Sequence, residues 1–104
     1  MNPAEVAYRA AEIISERGHC KSALQDDQGR VCFIGALNVA ISGEADHVLS
    51  AAGKIAYGTA RDILREDGYL SCPVMYNNDY RTTGEDVILL LKRTGERLDA
   101  GIQR

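Results

Sequence analysis

The sequence predicts a mainly α protein, a compact four-helix domain with one small β-hairpin near residues 23–32. Three observations carry this. Apolar residues recur at helical spacing through 4–17 and again through 48–64. A nearly unbroken apolar segment of helix length, 33–42, ends on Gly43. The run Thr82-Thr83-Gly84-Glu85 then introduces a last amphipathic stretch.

The first helix places Val6, Ala7, Ala10, Ile13 and Ile14 on one face. Pro3 suits its first turn, Asn2 its N-cap, and Arg17 with Gly18 its end. Asp26-Asp27-Gln28-Gly29 has turn chemistry, because Asp side chains bond nearby backbone and Gly29 tolerates positive φ. Ala23-Leu24 and Arg30-Val31-Cys32 flank that turn as the expected hairpin strands. Two isolated strands are marginal in water, so the hairpin must pack on the helices.

From Phe33 to Ser42 the chain is apolar on nearly every side, as a buried central helix is. So short a helix depends on tertiary contacts. Gly35 within it marks a close approach, with Ala56 or Gly53 of the next helix as the expected partner. That next helix is expected within Glu44–Asp67, with Val48, Leu49, Ala52, Ile55, Ala56, Ala60, Ile63 and Leu64 as its stripe and Gly68 as its stop. Gly53 and Gly58 each cost about 1 kcal/mol relative to Ala in a helix, which points to close packing or a break near 53. Residues 69–82 read as a loop. The last helix is expected to use Thr82 as N-cap with Glu85, to bury Val87, Ile88, Leu90, Leu91 and Leu98, and to soften around Gly95. The whole chain, 1–104, reads as one domain with its core over 4–94 and a frayed tail over 99–104.

Composition narrows the function classes. A net charge of −3 and six aromatic residues, none of them Trp, supply neither a basic footprint nor a stacking platform for nucleic acid. The longest apolar run, Val31–Leu37, falls well short of the roughly 18–20 residues that span a bilayer. The first residues lack the basic and apolar regions of a signal peptide. Three cysteines without paired spacing point to a reducing cytoplasm, the host's if the chain is phage-encoded.

The order Gly29-Arg30-Val31-Cys32-x-x-Gly35-Ala36-Leu37, then an Asn/Asp loop, then Arg81-Thr82 ahead of Glu85-Asp86-Val87-Ile88-Leu89-Leu90-Leu91, resembles a family of small uncharacterised proteins. Those proteins are encoded by actinobacteria and their phages and are classed as a domain of unknown function. The resemblance covers roughly residues 4–94. Where the family shows Trp-Asn-Asp, this chain has Tyr76-Asn77-Asn78-Asp79. The resemblance implies a fold and a source and brings no activity.

Cys32 is the candidate nucleophile. A helix starting just after it would lower its thiol pKa, with His19 or His47 as base and an Asn or Asp of 77–79 as orienter. Its neighbours Val31, Phe33 and Ile34 favour packing instead, since free cysteine behaves as a small buried hydrophobe. His19, Cys20, Cys32, His47 and Cys72 are too dispersed for a zinc site, so no metal and no cofactor is expected. The candidate binding surface is Tyr76, Asn77, Asn78, Asp79, Tyr80 and Arg81, where two tyrosines flank polar side chains. The expected function is that of a small intracellular, non-enzymatic protein of phage or prophage type that binds a host protein or a second copy of itself. The alternative is a Cys-dependent hydrolase or transferase using Cys32.

Overall fold

The computed structural model of the chain describes residues 1–102. Among them are five helices, α1 (Pro3–Arg17), α2 (Phe33–Ser42), α3 (Ala51–Glu66), α4 (Pro73–Asn78) and α5 (Gly84–Ile102), and no sheet. Asn2 opens α1 with a reciprocal cap. Its Oδ1 accepts the Glu5 N–H at 2.9 Å, and Glu5 Oε1 accepts the Asn2 N–H at 3.1 Å. Gly18 ends the helix at φ 97°, a conformation that disfavours any side chain.

The apolar face of α1 is the hub of the core. It packs along α5 and also against α2 and α3. Ala4, Ala7 and Ala10 are fully buried on it and let the neighbouring helices close in, while Ile13 and Ile14 meet Phe33, Leu37, Ile63, Leu64, Val87 and Leu91 in one cluster. Phe33 also stands edge-on to Tyr57 with ring centroids 6.1 Å apart. At the C-terminal end of α3, Asp67 and Glu66 pair with Arg93 and Arg97 of α5. These pairs are exposed, and each adds little to stability.

The expected hairpin over 23–32 does not form. Val31 makes two isolated bridges instead, parallel to His19 and antiparallel to Gln25. The reason is local. Asp26 Oδ1 takes the N–H groups of Gln28 and Arg30 at 3.0 and 2.9 Å, closing a side-chain turn. Beyond Val31 the chain turns at once into α2, which leaves no room for a ladder.

The helix count differs from four because Pro73–Asn78 forms a short helix inside the expected loop. Pro73 occupies its first turn, where a missing N–H costs nothing. The third helix starts at Ala51, not near Glu44. Asn38 of α2 takes the intervening carbonyls, its Nδ2 donating to Ala45 O at 2.9 Å and His47 O at 2.8 Å. Ser50 then caps the helix through Gly53 N–H. Val48, expected in the stripe, is 80% exposed on that loop, and Ile55 is exposed too.

The cap of α5 is one residue later than expected. Thr83 Oγ1 accepts the Asp86 N–H, and Asp86 Oδ2 accepts the Thr83 N–H at 2.9 Å, while Thr82 is buried. Nor does α5 soften at Gly95. That residue is the seat of Tyr8, and a Cβ there would meet the Tyr8 ring at 2.8 Å. Of the expected frayed tail, 99–102 are helical and 103–104 lie outside the described residues.

A polar staple, a cavity and an apolar edge

The entry to α2 brings three distant segments together. Cys32 is its N-cap, and Sγ accepts the Gly35 N–H at 3.3 Å. Gly35 lies under the Leu24 carbonyl, where a Cβ would come within 2.0 Å of the oxygen. The same carbonyl accepts the Cys32 N–H at 3.3 Å. The close approach inferred for Gly35 is therefore made to the 18–32 loop and not to α3. Gly53 of α3 instead accommodates Leu49 and Ile41.

Asn77 of α4 locks this arrangement from the other side. It is only 2% exposed. Its Oδ1 accepts the Phe33 N–H at 3.0 Å, the first N–H of α2, and a donor from His19 Nε2 at 2.7 Å. Its Nδ2 donates to Cys20 O at 3.3 Å and to Asn78 Oδ1 at 2.9 Å. Asn78 Oδ1 accepts in addition the Ser22 N–H at 2.8 Å. Ser22 is held there at φ 62°, the one non-glycine residue with positive φ among those described. An L-residue in that region carries roughly 1–2 kcal/mol of strain.

Between the 22–24 turn, the start of α2 and α4 lies a cavity of about 290 Å³. Cys32, Phe33 and Asn77 are buried in its floor, Leu24 and Ile34 line its flanks, and the exposed residues Ser22, Ala23, Val74 and Asn78 form its mouth. The lining is mostly apolar.

The candidate triad residues are thus close, but their atoms are engaged otherwise. His19 gives its Nε2–H to Asn77, so that nitrogen has no lone pair for a thiol. Cys32 Sγ accepts the Gly35 N–H. Burial pushes the Cys32 thiol up, with backbone N–H groups offsetting part of the rise. A protonated, capped thiol is a poor nucleophile. Cys20 is likewise raised by burial, and its thiol donates to the carbonyls of Ala23 and Arg30. Burial also raises the half-buried Cys72, but Met75 N–H, the Tyr57 hydroxyl and Val74 N–H together outweigh it and bring that thiol below its usual value. His47 is exposed and far along the chain from this site. No three His, Cys, Asp or Glu side chains among the described residues converge in a way that would hold a metal.

The expected loop surface divides in two. Asn77 is buried in the staple, and Tyr76 is half-buried against the core with its ring edge-on to Tyr69, centroids 5.3 Å apart. Tyr80 is 88% exposed, with the Arg81 guanidinium 5.5 Å from its ring centroid. Arg81 also clasps Asp79 through two hydrogen bonds, which holds that carboxyl down at about 2. Asn78 and Arg81 are exposed, and Asp79 partly so. Sequence reasoning missed Tyr69, Leu70, Val74 and Met75, which are all exposed, Leu70 completely. The signal was present: Leu70 and the Val74-Met75 pair are bulky apolar residues in a segment with too few positions to bury them.

Relief of the Ser22 strain gives a direct check. Ser22→Gly is expected to raise stability by about 0.5–1 kcal/mol, the αL cost minus the extra freedom glycine gains in the unfolded chain. Urea unfolding should show a higher midpoint at unchanged slope. A lower midpoint would mean that the serine side chain, and not its backbone, is what this turn needs.

The fold and site define a small all-α domain whose loop, central helix and α4 are stapled around one apolar cavity. A family model described as a family of unknown function, DUF6197, matches residues 1–97, and the chain belongs to that family. Comparison with curated proteins and with solved structures gave no match.

Proposed function

We propose that this chain is a small non-enzymatic protein of phage or prophage type, of the kind encoded by actinobacteria and their phages, that binds a host or partner protein in the cytoplasm through the segment 69–80. The observation that carries this is where its exposed apolar side chains lie. Nine large apolar residues are exposed among those described, and five of them, Tyr69, Leu70, Val74, Met75 and Tyr80, fall in these twelve positions. Large apolar side chains gathered at the surface mark interaction sites more than scattered ones do. Tyr80 with its stacked Arg81 adds the residue types enriched at interface cores. No helix among the described residues is long and apolar enough to cross a membrane.

The test is capture from a host lysate with the wild-type chain and with a Met75→Ser/Tyr80→Ala variant. Both side chains are exposed, so unfolding should be unchanged within about 0.5 kcal/mol. Proteins retained by the wild type should be lost from the variant. Equal retention by both would place the contact elsewhere. Sedimentation over a concentration range tells a second copy of the chain from a different partner.

A further inference from the structure

We propose that the cavity beneath the 22–24 turn is a binding site for a small amphiphile, with an apolar body and a hydrogen-bond-accepting end group, of which a medium-chain carboxylate is the simplest example. The inference does not rest on the protein-binding surface: Val74 belongs to both features, but Leu24, Cys32, Phe33 and Ile34, which line the cavity, lie outside the segment 69–80. Three observations carry it.

The first is the space itself. At about 290 Å³ it lies just below the usual range of ligand sites, about 300 to 1,000 Å³, which suits a small ligand. Leu24, Phe33 and Ile34 surround it, with the protonated Cys32 thiol on its floor. These walls offer an apolar body contact and make no polar demand on it. Asn77, the one amide in the floor, already has every bond it can use inside the staple.

The second is the mouth. Ser22 and Asn78 both line it, and among the described residues neither the Ser22 hydroxyl nor Asn78 Nδ2 has a hydrogen-bond partner. Asn78 Oδ1 is occupied, so its free half is a donor only. The Ser22 hydroxyl can donate as well, so an accepting end group suits both mouth residues. The third is the strain. Ser22 is held in the left-handed region by Asn78, at the rim of the cavity. Strained non-glycine residues persist where the surroundings over-determine them, and they cluster at binding sites.

The experiment uses octanoate as the probe, followed by amide chemical shifts and titration calorimetry on the full chain. Saturable one-site binding is expected, with the largest shifts at the amides of Ser22, Cys32 and Ile34. Octylamine, which presents donors only, should bind at least about tenfold more weakly. Val74→Trp places a ring over the mouth and should abolish binding, while Leu89→Trp, on the exposed face of α5, should leave it intact. If Val74→Trp fails to fold, Ala23→Phe closes the mouth from the opposite rim and repeats the test. Absence of saturation, equal binding of octylamine, or retained binding in the plugged variant would each overturn the proposal.

Discussion

Gly35→Ala is expected to destabilise the protein by about 3 kcal/mol, although helix propensity alone predicts a gain of about 1 kcal/mol. The sign is decided by one contact. A methyl group at position 35 would stand 2.0 Å from the Leu24 carbonyl oxygen and 3.0 Å from its carbon. Those atoms are backbone, so relief requires the loop to move and not a rotamer to change. Displacing Leu24 breaks its bond from the Cys32 N–H and disturbs the cap that Cys32 makes to Gly35. Overpacking costs about 1–3 kcal/mol and each lost bond about 1 kcal/mol, together well above the propensity gain. Urea unfolding is the measurement, with a lower midpoint at unchanged slope. A variant at least as stable as the wild type would mean that the Leu24 carbonyl does not rest on this glycine.

Asn77→Ala should cost a similar amount, about 3 kcal/mol. The substitution leaves the Phe33 N–H and the Cys20 carbonyl without their partners and frees the His19 ring. A buried group left unsatisfied costs about 1–3 kcal/mol, and water entering through the adjoining cavity recovers part of that. Asn78→Ala is the comparison. It releases the Ser22 N–H, which lies at the surface, and one of the two Asn77 Nδ2 bonds, but leaves the Phe33, His19 and Cys20 bonds in place, and should cost about 1 kcal/mol. If the two variants prove equally stable by urea unfolding, the buried amide is not the staple described.

Much of the scaffold was legible because its signals are local. The Asn2 cap, Pro3, Gly18, the apolar run from Phe33 and the Gly43 stop all act within one or two turns, and α1 and α2 were placed to within a residue by them. The departures come from side chains reaching distant backbone. Asn38 holds the carbonyls of residues 45 and 47 and delays α3. Asn77 bonds residues 19, 20 and 33, and in doing so anchors a helix where turn residues suggested a loop. In the sequence Asn77 and Asn78 read as part of a binding surface, because two tyrosines flank that polar run. Nothing in sequence spacing reveals that one of them is buried against a loop more than fifty residues earlier. The cavity was hidden for the same reason, since its walls come from 22–24, 32–34 and 74–78. Cys32 is buried and caps α2 through its sulfur.

The Asn77 staple also bears on how the native protein breathes. Domains open in cooperative units, and the weakest units are those with few apolar contacts and solvent-near hydrogen bonds. Here α4 makes little contact with the rest of the fold beyond α2 and α3, whereas α1, α3 and α5 hold one another through an extensive interface. A fluctuation that lifts α4 releases residues 19–22 and the first turn of α2 in the same event, because Asn77 bonds His19, Cys20 and Phe33 while Asn78 and the Asp79 carbonyl hold Ser22 and Lys21. The wall and the floor of the cavity are lost together, and Cys20 and Cys32 meet solvent while the three-helix remainder stays closed. Solvent access to those two thiols therefore reports the free energy of this partial opening, which lies below that of global unfolding, and anything that settles between α4 and the 22–24 turn must slow it.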